Sequence, residues 1–324
     1  MLQRSTRAAF HTLAASLLLV ALVWANGVRA DTAPSPGPQL PSVTVIARPP
    51  PSPQEIAGEA VHDFVRAHAK PSVITGQLAR WKLQICPITQ GLSPELNEFV
   101  SARLLAIAAS VGAPRQDSEN CKSRHNVYIF FTSDPKQVLE AMEKQDPKLL
   151  GFHALDQTKA VETMSRSIQG WYVTVTHGAR GGQSIDEADP LLPLETDLMN
   201  QGKHPPGLPG SRITSHLSSE IVNAALVVDL NKTTGHAIGP IADYLAVLTL
   251  TQAFAPEQCG TLPSIMDLLA PNCGAREAPT EVTAGDLAFL KALYRTDMEL
   301  VLEMEQSTIN DSMMRQFKAP FAAH

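Results

Sequence analysis

The stretch Ala225–Leu250, "ALVVDLNKTTGHAIGPIADYLAVLTL", decides the fold. Its first part belongs to the run "SEIVNAALVVDL" (Ser219–Leu230). That run is short, almost continuously apolar and β-prone, so it reads as a strand, although its start is also compatible with helix. The segment "PIADYLAVLTLTQAF" that follows is too long for a strand and reads as an apolar helix. Pro240 belongs at the first helical position with Gly239 as cap, because deeper in the helix its ring would break it. His236 then lies in the lead-in loop and off the helix face. Asp243 is expected in the first turn, where exposed amides and the helix dipole favour a carboxylate. Polar groups at a strand–helix junction are where many sites are built, which makes His236 and Asp243 the candidate catalytic residues.

The chain on either side supplies partners for this unit. A capping box, Ser52-Pro53-Gln54-Glu55, opens a helix through about Ala69. "RWKLQIC" (Arg80–Cys86) reads as a strand. Ser93 caps a helix with Pro94 at its first position, and Gly112 stops it. Along that helix Leu96, Phe99, Val100, Leu104, Ile107, Ala108 and Val111 recur at three- or four-residue spacing, predicting one buried face. "NVYIFFT" (Asn126–Thr132) is a central strand by its unbroken apolar run, Asp134-Pro135 begins a further helix, and "IQGWYVTVTH" (Ile168–His177) is a third strand. Residues 178–210 are polar and rich in proline and glycine, a long loop of the kind that serves as a lid. Thr283-Ala284-Gly285-Asp286 is a second capping box before a last helix or helix pair. Strands and helices interleave without a repeat. The expectation is one α+β domain over residues 54–324, with a mixed sheet packed by several helices.

The N-terminal part is read separately. Arg4 and Arg7 precede the apolar run Leu13–Ala25, and Val28-Arg29-Ala30 places small residues before a break. Residues 1–30 are expected to be a secretory signal peptide, cleaved near Ala30. Residues 31–53 are proline-rich and read as an extended linker. Within it Ser42–Pro50, "SVTVIARPP", is β-prone and loosely resembles the short box through which outer-membrane receptors engage an energy-coupling partner. Envelope proteins are the partners such a box implies. The 324-residue chain has a formal charge of −6, which becomes −9 without the three arginines of the leader. An acidic chain lacking a basic stripe argues against nucleic acid as a partner, and no later segment has the apolar length of a spanning helix. Four cysteines in an exported chain predict two disulfides. The local pairs Cys86–Cys121 and Cys259–Cys273 are favoured over the other two pairings.

Motifs narrow the chemistry. A zinc-peptidase helix needs two histidines at i and i+4, a glutamate base between them and a third ligand beyond. The helix after Pro240 holds no histidine, so no metal is expected. No G-x-S-x-G elbow occurs, and "GARGG" (Gly178–Gly182) lacks the ending of a phosphate loop, so no cofactor is expected either. His125, His153, His177, His204 and His216 show no ligand spacing. Asn231-Lys232-Thr233 fits a glycosylation sequon.

The succession "RWKLQICPITQGL", "NVYIFF", "IQGWYVTVT", "LVVDLNKTTGHAIGPIADYLAVLTLTQ" and "VTAGDLAFLKALY" resembles an uncharacterised family of exported proteobacterial proteins. The resemblance implies a fold and a compartment, periplasmic or secreted, and no activity. More loosely the chain is similar to zincin-like exported proteins in which a late D-x-x-F/Y-L-x-x-L-Y helix recurs. Ala242–Ala246 then takes the place of the metal-binding helix, with two ligands and the base missing. The expectation is a non-catalytic binding or structural protein on a degenerate scaffold. The alternative is a hydrolase with an atypical site that gathers His236, Asp243 and either His216 or Glu220 around Gly235–Tyr244.

Overall fold

A computed structural model describes residues 53–72, 76–115, 121, 125–145, 147–150, 164–178, 211–253, 258–271, 273 and 277–318. The expected leader, the linker with its Ser42–Pro50 box and nearly all of the 178–210 loop lie outside the described residues. Five strands are described: β1 (Arg80–Trp81), β2 (Pro87–Gln90), β3 (Val127–Thr132), β4 (Ile168–Gly178) and β5 (Leu217–Asp229). The helices are α1 (Pro53–His68), α2 (Pro94–Val111), α3 (Pro135–Gln145), the single turn α4 (Leu230–Thr233), α5 (Ile238–Thr251), α6 (Ala284–Leu293) and α7 (Leu302–Lys318). A 3-10 turn, Ile265–Leu269, lies between α5 and α6.

The sheet is mixed. β5 pairs with β3 in parallel and with β4 antiparallel, and β3 pairs with β2 in parallel. β1 lies on the β3 side of β5, paired at Glu220 and Ile221, while β3 takes over that edge from Ala224 onward. β5 is therefore internal. Ile221, Ala224, Leu226 and Val228 join the cluster that holds α2 and α5, whereas Ala225 and Val227 pack with Leu139 and Met142 of α3 and with Trp171. A strand covered on both faces has no solvent side, which is why its sequence is apolar without alternation. Opposite β4, the register jumps between Val173, paired with Asn223, and Thr174, paired with Ile221. Val222 is the extra residue of this bulge, and the shift puts Ile221 and Ala224 on one face.

Two expectations are corrected. The predicted strand Arg80–Cys86 breaks after Trp81. β3 occupies the next stretch of the β5 edge, so the chain must leave it. Asn126 steers the departure by accepting from the Cys86 amide at 2.8 Å and donating to the Gln84 carbonyl at 3.0 Å. The strand resumes only at Pro87, on the far side of β3. In α2 the buried stripe is Val100, Leu104, Ile107, Ala108 and Val111, and Leu96 and Phe99 are exposed. At about 100° per residue, Phe99 points roughly a third of a turn away from that stripe.

The other boundaries follow local chemistry. Ser93 caps α2 through the Leu96 amide, and Gly112 ends it with φ at +80°. The Thr283–Asp286 capping box opens α6. Both disulfides join as expected, Cys86–Cys121 and Cys259–Cys273. No helix among the described residues is long and apolar enough to cross a membrane.

Candidate functional site

At the junction the strand ends in its own cap. Asp229 accepts the Asn231 amide at 3.0 Å, which starts the turn α4. Gly235 then takes φ +93°, His236 follows in an exposed loop, and α5 begins at Ile238 behind Ala237. His236 is in the lead-in loop as the sequence implies, with its amide on the Thr233 carbonyl. Pro240 is the third helical residue and not the first. Its missing amide still does no harm there, because the first four amides of a helix have no internal acceptor.

That two-residue shift changes the meaning of Asp243. It lies in the second turn of α5, beyond the free amides, and is almost wholly buried. Its carboxylate takes a two-point contact from Arg103 of α2, with Nε on Oδ1 and a terminal nitrogen 2.9 Å from Oδ2. The Val282 amide, just before α6, donates to Oδ2 at 2.7 Å. The hydrogen bond to Asp243 holds the Arg103 guanidinium above its ordinary range. Asp243 thus ties three segments together through three donors. Asp243→Asn is expected to lower unfolding stability by about 2 kcal/mol, since the charge-assisted contact with Arg103 is lost at a position that is itself buried. Urea denaturation with an unchanged m-value would check it.

The rest of α5 is anchored at its far end. Every residue from Ile241 to Thr251 is buried, so its last carbonyls have no water to turn to. Tyr172 of β4 donates to Leu248 at 2.7 Å, Trp81 of β1 to Thr249 at 2.8 Å, and Tyr294 to Leu250 at 3.1 Å. Burial raises the Tyr172 and Tyr294 phenols, keeping them protonated as donors. Each aromatic places its ring in the core and its polar end on an orphan carbonyl.

The other residues of the expected hydrolytic group lie elsewhere. Glu220 lies near the start of β5 and His216 just before it, and nine residues of strand, roughly 30 Å, separate Glu220 from Asp229. Glu220 pairs with Lys82 at 2.7 Å and faces His177 at 3.6 Å, while His216 meets Thr214 at 3.4 Å. His236 makes no side-chain hydrogen bond to a described residue. The structure brings Asp243 to Arg103 and Glu220 to His177 and Lys82, but not His236 to either acid. Among the described residues no group of three or more His, Cys, Asp or Glu side chains could hold a metal ion.

Sequence reasoning missed the buried polar contacts. Arg80 enters the core against Glu305 of α7. His68 of α1 meets Ser264, and Ser264 meets Asp286 of α6. Asp286 carried a local signal that was read, its capping box. Ser264-x-x-Asp267 forms another around the 3-10 turn.

The class defined by this geometry is an α+β protein with a mixed sheet between helical layers, its junction acid used for internal bonding. No protein-family model, curated protein or solved structure matches the chain.

Proposed function

We propose that this is an exported, non-catalytic binding or structural protein, carried on the frame of a degenerate zincin-like scaffold. The observation behind the reading is the state of Asp243. At the place where a peptidase helix would offer a free ligand or base, its carboxylate is buried and committed to Arg103 and the Val282 amide. A group engaged by three donors of its own fold is poorly placed to take a proton from a substrate or to ligate an ion. The resemblance to exported proteobacterial proteins belongs to the same proposal. The two disulfides support an oxidising compartment, periplasmic or extracellular, after cleavage near Ala30.

Elemental analysis of protein purified from the envelope tests it. Substoichiometric zinc, together with an Asp243→Asn variant that is less stable but keeps any partner captured by the wild type, is the expected result. One tightly held zinc per chain, lost together with hydrolytic activity in His236→Ala, would overturn the proposal.

A further inference from the structure

Beneath α1 three polar side chains from distant segments meet inside an apolar cluster. His68 is buried, stacked on Phe64 with ring centroids 4.0 Å apart, and approached by Phe289 at 5.9 Å. Its Nδ1 lies 2.8 Å from the Phe64 carbonyl, which can only accept, so that nitrogen carries a hydrogen. Its Nε2 lies 3.0 Å from Ser264 Oγ, inside the excursion closed by Cys259–Cys273. Ser264 Oγ is also 2.6 Å from Asp286 Oδ1, so one hydroxyl hydrogen serves two acceptors.

The charged groups facing the ring are Asp286 from α6, Asp267 from the 3-10 turn and Lys70 just after α1. α7 contributes the apolar Ile309 and Met313. The two carboxylates favour a charged ring, but both are occupied. Asp286 Oδ2 takes the Ile265 and Thr283 amides, and Asp267 takes the Ser264 amide. Burial is the largest influence, and it pushes the imidazole below its ordinary value, with Lys70 acting in the same sense. Protonation would reverse the His68–Ser264 bond without breaking it. The driving force is therefore the loss of water around the new charge, on a ring buried against Phe64 and Phe289.

We propose that His68, Ser264 and Asp286 form an acid-opened latch: protonating the imidazole releases α1 from the disulfide-closed excursion and α6 and uncovers the apolar face it covers. That face includes Phe289, Leu293, Ile309 and Met313. The sign follows from linkage. A histidine depressed on folding leaves stability intact above pH 6.5 and removes it as pH falls below that value. The latch goes beyond the binding role proposed above and is tested separately from it.

Hydrogen exchange of the full chain, corrected for intrinsic rates and referenced to β5, is the direct measurement. Opening of α1 should rise as pH falls below 6, toward the ceiling of about tenfold per pH unit for one proton. β5 should hold its protection, and an apolar-surface dye should bind over the same range. In His68→Gln the α1 exchange should lose this pH dependence. Equal α1 opening at pH 7.5 and pH 5, or the same acid response in His68→Gln, would overturn the latch. If that variant does not fold, an NMR titration of the His68 ring in the wild type decides. A midpoint that tracks α1 opening supports the proposal, and a ring that titrates with α1 still protected rejects it.

Discussion

Replacing Glu305 by alanine is expected to lower the free energy of unfolding by about 3–5 kcal/mol, the range for removing one partner of a buried ion pair. Glu305 and Arg80 both lie in the core. The Arg80 guanidinium donates to Glu305 and to the Leu293 and Thr296 carbonyls, which close the C-terminal end of α6. Glu305 Oε2 also takes the Leu78 amide at 2.9 Å. Without the carboxylate, a cation and a backbone donor stay buried, and Arg80 Nε already lacks an acceptor among the described residues. A double change to Arg80→Met and Glu305→Leu should destabilise less than Glu305→Ala alone, because no unpaired charge is left behind. Chemical denaturation of the three proteins decides this. If the double variant is the weakest, the pair contributes net stability and the argument from desolvation is wrong.

The same residue predicts a pH dependence. Burial raises the Glu305 carboxyl from its ordinary 4.5 to about 7, although Arg80 and the Leu78 amide pull it the other way. The folded protein thus retains a proton that the unfolded chain has released. The stability linked to it is fully present below pH 4.5 and is lost as pH rises through about 7. Glu305→Gln should flatten that slope. His68 contributes with the opposite sign over an overlapping range, so the global curve mixes the two and single variants are needed to separate them.

Gly91→Ala is expected to be the next most damaging change, at about 3–5 kcal/mol from backbone strain and an unrelievable contact. Gly91 turns the chain from β2 toward α2 with φ at +99°. A Cβ there would sit 1.9 Å from the Phe131 carbonyl oxygen, which belongs to β3 and cannot swing aside. Either β2 leaves β3 or the turn is rebuilt. Gly112→Ala is the control, because its φ is also positive but nothing lies within 4 Å of the added carbon. A thermal-shift comparison showing equal losses at the two glycines would mean that the φ value alone sets the penalty.

Much of the frame could be read from local signals, since those signals act within one or two turns of chain. Ser93 and Gly112 bound α2, Thr283 and Asp286 open α6, and the apolar runs of β3 and β5 mark strands covered on both faces. The two disulfides followed from choosing local pairs. Errors arose where distant segments compete for the same place. The strand from Arg80 stops because β3 holds the next part of the β5 edge, and Phe99 is apolar yet faces outward.

The site residues divide in the same way. That His236 stands off the α5 face follows from Pro240 and chain direction alone. The role of Asp243 does not, because a two-residue shift of the helix start moves it from the dipole to the core, and its partners lie 140 and 39 residues away. Likewise Glu220 and His177 meet only through the β4–β5 register. The sequence by itself determined most element types, the caps of α2 and α6 and the absence of a metal-binding histidine pair on α5, because each is written in neighbouring residues. Only the tertiary structure decided that Asp243, Arg80, Glu305, His68 and Ser264 are buried bonding partners. Packing chooses which polar groups lose water, and a group that loses water must find its hydrogen bonds wherever the fold places them.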